Sequence, residues 1–223
     1  MMAATCFVIL ADTDPAPTAT RPPAQETTTG RYEFRVWPRE MPQAAGILQK
    51  SWSLVGGERR SDIYLLTGHS PERLVKLRAG NRLEVKRREH DAGLLQYWVH
   101  DAYPLFPLSR PALRVLAGEL GLPGLDTEAA RSPGHLLARL GAFSATVLPM
   151  TVRKSRLLFR KDNTRAEICH VAVDGWTRLT LAIEDPDPER ALATVEALAL
   201  ADLPNRSYGD MLGPRRIPAG AAS

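Results

Sequence analysis

The chain is short of the residue types that announce most chemistries. It has two cysteines, Cys6 and Cys169, far apart in sequence, which excludes a disulfide framework and a thiolate metal site. Its five histidines (His69, His90, His100, His135 and His170) show no ligand spacing. Aromatics are only 6% of the residues and do not interleave with the basic ones. That disfavours a nucleic-acid module, which needs stacking platforms between its cations. No apolar run is long enough to span a bilayer. Residues 3–11 are apolar, but no basic segment precedes them and Asp12 and Asp14 follow, so they are a weak signal-peptide candidate. A reducing cytoplasm is the default compartment, with no membrane partner. Neither a Walker motif nor a dinucleotide-type glycine loop is present, which removes two common routes to nucleotide binding.

What is present is a globular composition. The 223 residues are 44% hydrophobic and 24% charged, enough to bury a core as one large domain or two small ones. The net charge of +4 is small, so the distribution matters more than the total. Between Arg59 and Arg88 nine Lys or Arg face three acids, Asp62, Glu72 and Glu84, a local positive potential that favours anionic ligands.

Three stretches place basic residues at alternate positions: Val75–Arg78, Leu83–Arg88 and Val152–Leu158. In a strand, residues i and i+2 share a face. Lys76 and Arg78 therefore point together, as do Glu84, Lys86 and Arg88, and Lys154 and Arg156. The intervening residues are mostly apolar. By itself this pattern equally describes a sheet with one face in water. It describes a binding site when the strands curl so that the polar faces meet.

The remaining patterns surround these strands with more strands and a few helices. Residues 1–30 are rich in Pro, Thr and Ala toward Gly30 and read as a disordered leader, and 213–223 as a tail. Alternation predicts strands at Arg31–Trp37, Ser61–Leu66, Arg73–Arg78, Asn81–Arg88 and Gln96–Tyr103. Further strands are expected at Ala145–Met150, Arg153–Arg160, Ala166–Val173 and Thr177–Glu184. Ala79-Gly80, Lys161–Thr164 and Asp174-Gly175 suit tight turns. Helical spacing predicts a helix over 41–55, stopped by Gly56-Gly57, and others over 109–121 and 132–142. A last helix runs from Asp187 to about Ala201, with Asp187 as N-cap and Pro188 at the first position. The fold class is therefore α+β and mainly β, an antiparallel barrel or strongly curved sheet with peripheral helices.

The order of these motifs resembles the CYTH superfamily, the triphosphate tunnel enzymes related to thiamine triphosphatase and class IV adenylyl cyclase. The family opens on a Glu-x-Glu-x-Lys strand, matched in place by Arg31-Tyr-Glu33-Phe-Arg35. An Asp-x-Tyr strand follows, matched by Asp62-Ile-Tyr64. Alternating basic strands come next, matched by Lys76-Leu-Arg78, Glu84-Val-Lys86 and Lys154-Ser-Arg156. A closing Glu-x-Glu is matched by Ala182-Ile-Glu184, and the last short motif by Ser207–Leu212. The resemblance spans about residues 31–212, with 104–150 as a helical insertion.

The resemblance implies an eight-stranded antiparallel tunnel that grips a triphosphate-containing small molecule or polyphosphate. Phosphate ligands would be Arg35, Lys76, Arg78, Lys86, Arg88, Lys154 and Arg156. Mg²⁺ or Mn²⁺ would be held by carboxylates among Glu33, Glu184 and Glu167, with Glu84 a further candidate. Arg31 and Ala182 stand where the family carries glutamates, a change that weakens a metal site more than a phosphate grip. Metal-dependent hydrolysis and binding without turnover both remain open, and the oligomeric state is undetermined.

Overall fold

Alternating side chains carry through into eight strands that close on themselves. The computed structural model describes residues 30–213 except 68–70, 104, 126–127 and 145–146. The expected leader, tail and apolar stretch 3–11 therefore fall outside the described residues, save Gly30 and Gly213. In chain order the strands are β1 (Arg31–Val36), β2 (Ser53–Leu66), β3 (Arg73–Arg78), β4 (Arg82–Ala92), β5 (Leu95–Ala102), β6 (Leu148–Lys161), β7 (Thr164–Val173) and β8 (Trp176–Asp185). The helices are α1 (Gln43–Ser51), α2 (Arg110–Glu119), α3 (Pro133–Phe143), α4 (Pro188–Ala197) and α5 (Tyr208–Leu212). The strands form a closed antiparallel barrel in the order β1-β5-β4-β3-β2-β6-β7-β8.

Local chemistry explains most boundaries. At the β3–β4 turn Ala79 and Gly80 both have positive φ, 49° and 73°, the backbone of a tight hairpin. Asp187 caps α4 by accepting from the Glu189 and Arg190 amides, leaving Pro188 where its missing N–H costs nothing.

Two expectations change. The helix expected over 41–55 ends at Ser51, and Gly56-Gly57 lie inside β2, where the register shifts between Leu54 and Gly56. Of the segments 145–150 and 153–160, read as separate, residues 148–150 run on into the second as β6 (Leu148–Lys161), and 145–146 lie outside the described residues. The reason is mutual. β2 and β6 pair from Ser53↔Arg160 to Leu66↔Leu148, so each supplies ladder partners for backbone groups that the other would otherwise leave bare.

The outer barrel faces are apolar and covered. Val75, Leu77, Leu83 and Val85 pack with Leu113 and Leu116 of α2 and Leu136 and Leu140 of α3. Phe34, Ile168, Leu181 and Ile183 pack with Leu48 of α1 and Val195 of α4. Burying the apolar face outward, under helices, leaves the polar face of each strand to line the lumen.

One end of the barrel carries an aromatic cluster. The Tyr208 ring stacks on Tyr64 at 5.5 Å and meets Trp37 edge-on at 5.0 Å. A capping box between Ser207 and Asp210 holds α5 in shape. Gly209 lets it sit close, since a Cβ there would lie 2.3 Å from the Pro71 carbonyl oxygen. The opposite end, where β1 and β7 begin and β6 and β8 finish, carries Arg31, Arg160, Arg165 and Glu184. Among the described residues no helix is long and apolar enough to cross a membrane.

Candidate functional site

Charged residues from six strands meet inside the barrel. Glu33 and Arg35 project inward from β1. Arg35 donates from Nε to Glu33 Oε1 at 2.8 Å and from Nη1 to Glu167 Oε1 at 3.0 Å. Thr180 Oγ1 of β8 accepts from the same Nη1 at 3.3 Å. Glu33 also pairs with Lys86 of β4. Glu167 pairs with Arg156 of β6, whose Nε donates to it at 2.6 Å. Arg156 in turn meets Glu58 of β2, and Glu58 accepts from Arg60 at 2.6 Å.

A second cluster lies toward Tyr208. Lys154 donates to Tyr64 Oη at 2.9 Å and lies 3.1 Å from Asp62. Its ammonium stands 3.9 Å from the centroid of the Tyr208 ring, a favourable cation–π arrangement. Arg60 Nε reaches Asp62 at 3.1 Å and joins the two clusters. In a third group, Glu84 is approached by Lys76 at 3.3 Å, Arg78 at 3.4 Å, Arg82 at 3.9 Å and His100 at 3.3 Å.

Burial and pairing set the charge states. Burial opposes ionisation of Glu33, but Lys86 and Arg35 outweigh it and hold its pKa at about 2. Glu167 is likewise lowered, because Arg35, Arg156 and Lys154 overcome the desolvation penalty. Lys154 goes the other way. Burial pushes it down to about 8, with Asp62 and Glu167 only partly offsetting that loss. Lys76 is lowered by burial, whereas Lys86 is raised because Glu33 and Glu184 overcome its desolvation.

Of the residues singled out from sequence, the structure brings together Arg35, Lys76, Arg78, Lys86, Lys154 and Arg156 with Glu33, Glu84 and Glu167. Glu184 is the register partner of Glu33 across β1 and β8. Arg88 stands apart, paired with Glu72 at 2.8 Å and Asp91 at 3.7 Å. Glu58 and Arg60 were not singled out, and Asp62 and Tyr64 were known only as parts of the resemblance. Glu58, Arg60, Asp62 and Tyr64 alternate as the basic strands do. In the sequence Gly56-Gly57 masks that signal, because a glycine pair suits a helix end as well as a strand bend.

A lining of cations alone would repel itself. Here Glu33, Glu58, Asp62, Glu84 and Glu167 are interleaved with Arg35, Arg60, Lys76, Arg78, Lys86, Lys154 and Arg156. The lumen is therefore preorganised, with cations in slight excess. The same interleaving bears on a metal. Among the described residues no three His, Cys, Asp or Glu side chains are grouped so as to hold one, and Glu33 and Glu167 are each engaged by two cations. The donor set does not fit a resident divalent ion.

No protein-family model matches the chain, and no curated protein matches it. Among solved structures, a Hippeastrum protein described as an adenylyl cyclase with a dominant triphosphatase activity superposes at a TM-score of 0.50. It is 14% identical, over 80% of this chain and 91% of that one. The likeness is one of fold, a closed eight-stranded antiparallel tunnel. A protein from Pyrococcus horikoshii (TM-score 0.49, 12% identity, 82% of this chain and 97% of that one) and an adenylate cyclase-type protein from Bacillus halodurans (0.45, 13%, 81% and 96%) are also similar. At such identities the likeness concerns the tunnel architecture, and the site rests on the residues described above.

Proposed function

We propose that the tunnel binds a triphosphate or longer phosphoanhydride chain through Arg35, Lys76, Arg78, Lys86, Lys154 and Arg156. The observation that carries this reading is the convergence of these six side chains, from four strands, on one lumen. Arginine's planar fork and lysine's compact charge are the usual partners of phosphate oxygens. The bound anion exchanges places with carboxylates that hold the cations in position beforehand, so little side-chain ordering remains to be done on binding.

The reading is binding first. Glu33 and Glu167 are ion-paired well below neutrality, which makes them poor proton acceptors. Thermal unfolding followed with sodium tripolyphosphate, with and without Mg²⁺, tests it. The expected result is a concentration-dependent rise in Tm in both conditions, abolished in Arg156→Glu. No rise in Tm would overturn the reading. Phosphate release from tripolyphosphate in Mg²⁺ or Mn²⁺ would show hydrolysis in place of simple binding.

A further inference from the structure

Four carboxylate oxygens inside the barrel each have a nitrogen set against them. Glu33 Oε1 accepts from Arg35 Nε at 2.8 Å, and its Oε2 meets Lys86 Nζ. Glu167 Oε1 accepts from Arg35 Nη1 at 3.0 Å, and its Oε2 accepts from Arg156 Nε at 2.6 Å. Arg35 therefore stands between the two carboxylates, and all three residues are buried. Small hard cations bind through the same kind of oxygen. An ion could join Glu33 to Glu167 only by displacing the guanidinium, which would leave a buried charge without its partners.

Ala182 explains how the guanidinium reaches so far. It is the register partner of Arg35 across β1 and β8, and of Glu167 across β7 and β8. Register partners project from the same face of a sheet. Arg35 thus crosses the whole of β8 to meet Glu167, and the residue beneath the crossing carries only a methyl group. Thr180 Oγ1, on the same face of β8, accepts from Arg35 Nη1 at 3.3 Å and steadies it there. A glutamate at position 182 would project between Arg35 and Glu167. The planar fork of arginine bridges two carboxylates, where lysine would offer one compact ammonium. Two departures from the family pattern, Arg35 and Ala182, therefore belong to a single contact.

We propose that the Arg35 guanidinium serves as the resident cation between Glu33 and Glu167, in the role a divalent metal would take there, so that the tunnel excludes Mg²⁺ and Mn²⁺ and binds its anion without them. The part that concerns the anion rests on the binding reading above; the part that concerns the metal does not. Divalent ions then act against binding. They coordinate phosphate oxygens in solution and cancel the charge that the cationic lining recognises.

The first experiment uses MnCl₂ alone, without phosphate, on the full-length protein. Bound Mn²⁺ is read by electron paramagnetic resonance and its effect on the fold by thermal unfolding. The unaltered protein is expected to show no saturable Mn²⁺ binding and no rise in Tm. Arg35→Ala combined with Ala182→Glu frees two oxygens and adds a carboxylate, and should bind Mn²⁺ about tenfold or more tighter than the unaltered protein. Arg35→Lys combined with Ala182→Glu keeps a cation in the lumen and takes its place where the first pair does not fold. Saturable Mn²⁺ binding by the unaltered protein, or no gain in a folded double variant, would overturn the proposal. The second experiment titrates sodium tripolyphosphate by calorimetry in EDTA and in rising MgCl₂. Binding should be undiminished in EDTA and weaken as Mg²⁺ rises. Loss of binding in EDTA, or tightening by Mg²⁺, would overturn the proposal and leave the tunnel reading standing. Failure of tripolyphosphate to bind in every condition would overturn the tunnel reading itself, and the Mn²⁺ experiment would still decide the role of Arg35.

Discussion

Arg35 and Glu167 meet at 3.0 Å inside the barrel, although 132 positions separate them in sequence. Both are almost fully buried. A buried pair of this kind contributes less to net stability than its Coulomb energy suggests, because both charges lost water to make it. Its consequence is geometric. Glu167 also holds Arg156, so one carboxylate holds two cations of the lining in place.

Glu167→Gln should therefore separate stability from affinity. Removing the charge leaves Arg35 and Arg156 without a counter-ion, and the fold is expected to lose about 3 kcal/mol. The freed guanidiniums should bind tripolyphosphate more tightly. The Glu167 pKa lies below its ordinary value, so its contribution is present above the ordinary glutamate range and lost as pH falls beneath it. Chemical denaturation and calorimetric titration of the variant check both parts. A stable variant with unchanged affinity would contradict the bridging role.

Lys154 makes the binding pH-dependent. With a pKa of about 8, it is depressed relative to an exposed lysine. The unfolded chain then binds the extra proton more readily, so the charged form is a cost to the fold below about pH 8, relieved as pH rises. A bound polyanion favours the ammonium and raises its pKa. Tripolyphosphate binding should accordingly take up protons near about pH 9, seen as a buffer-dependent heat in titration calorimetry. Lys154→Met should abolish that uptake. Heats that do not depend on the buffer, or uptake that survives in the variant, would count against it.

Asp185 predicts a purely structural effect. It is fully buried and accepts from the Thr164 hydroxyl at 2.5 Å, the Asp187 amide at 2.8 Å and the Arg190 guanidinium. Asp185→Ala should cost about 3 kcal/mol, a fall in Tm of roughly 6–12 °C for a domain of this size. A fall much smaller than that would show the network to be dispensable.

Leu136 tests whether the middle segment belongs to the barrel's support. It is 1% exposed and lies in the cluster with Val75, Leu83 and Val85. Leu136→Ala should destabilise the whole domain in one transition by about 3 kcal/mol. Unfolding of α3 in a separate, earlier transition would instead mark it as an independent appendage.

Legibility followed the range of the physics. The hairpin at Ala79-Gly80 and the cap at Asp187 were readable because each depends on residues within a few positions. The inward set Lys76, Arg78, Lys86, Lys154 and Arg156 was readable as faces, since alternation is a property of a single strand. Gly56-Gly57 misled because a glycine pair stops a helix or bends a strand equally well. Only the β6 partner decides between them.

By itself, then, the sequence determined which residues share a strand face, where the turns fall and that the cationic faces follow one another in order. The tertiary structure alone decided that those faces close inward, that Glu58, Asp62 and Glu167 neutralise them, and that Arg35 bridges Glu33 and Glu167. The division has a physical cause. Side-chain direction follows from the local pleat, but the partner across a lumen depends on barrel closure and register, which join residues as distant as Arg35 and Glu167.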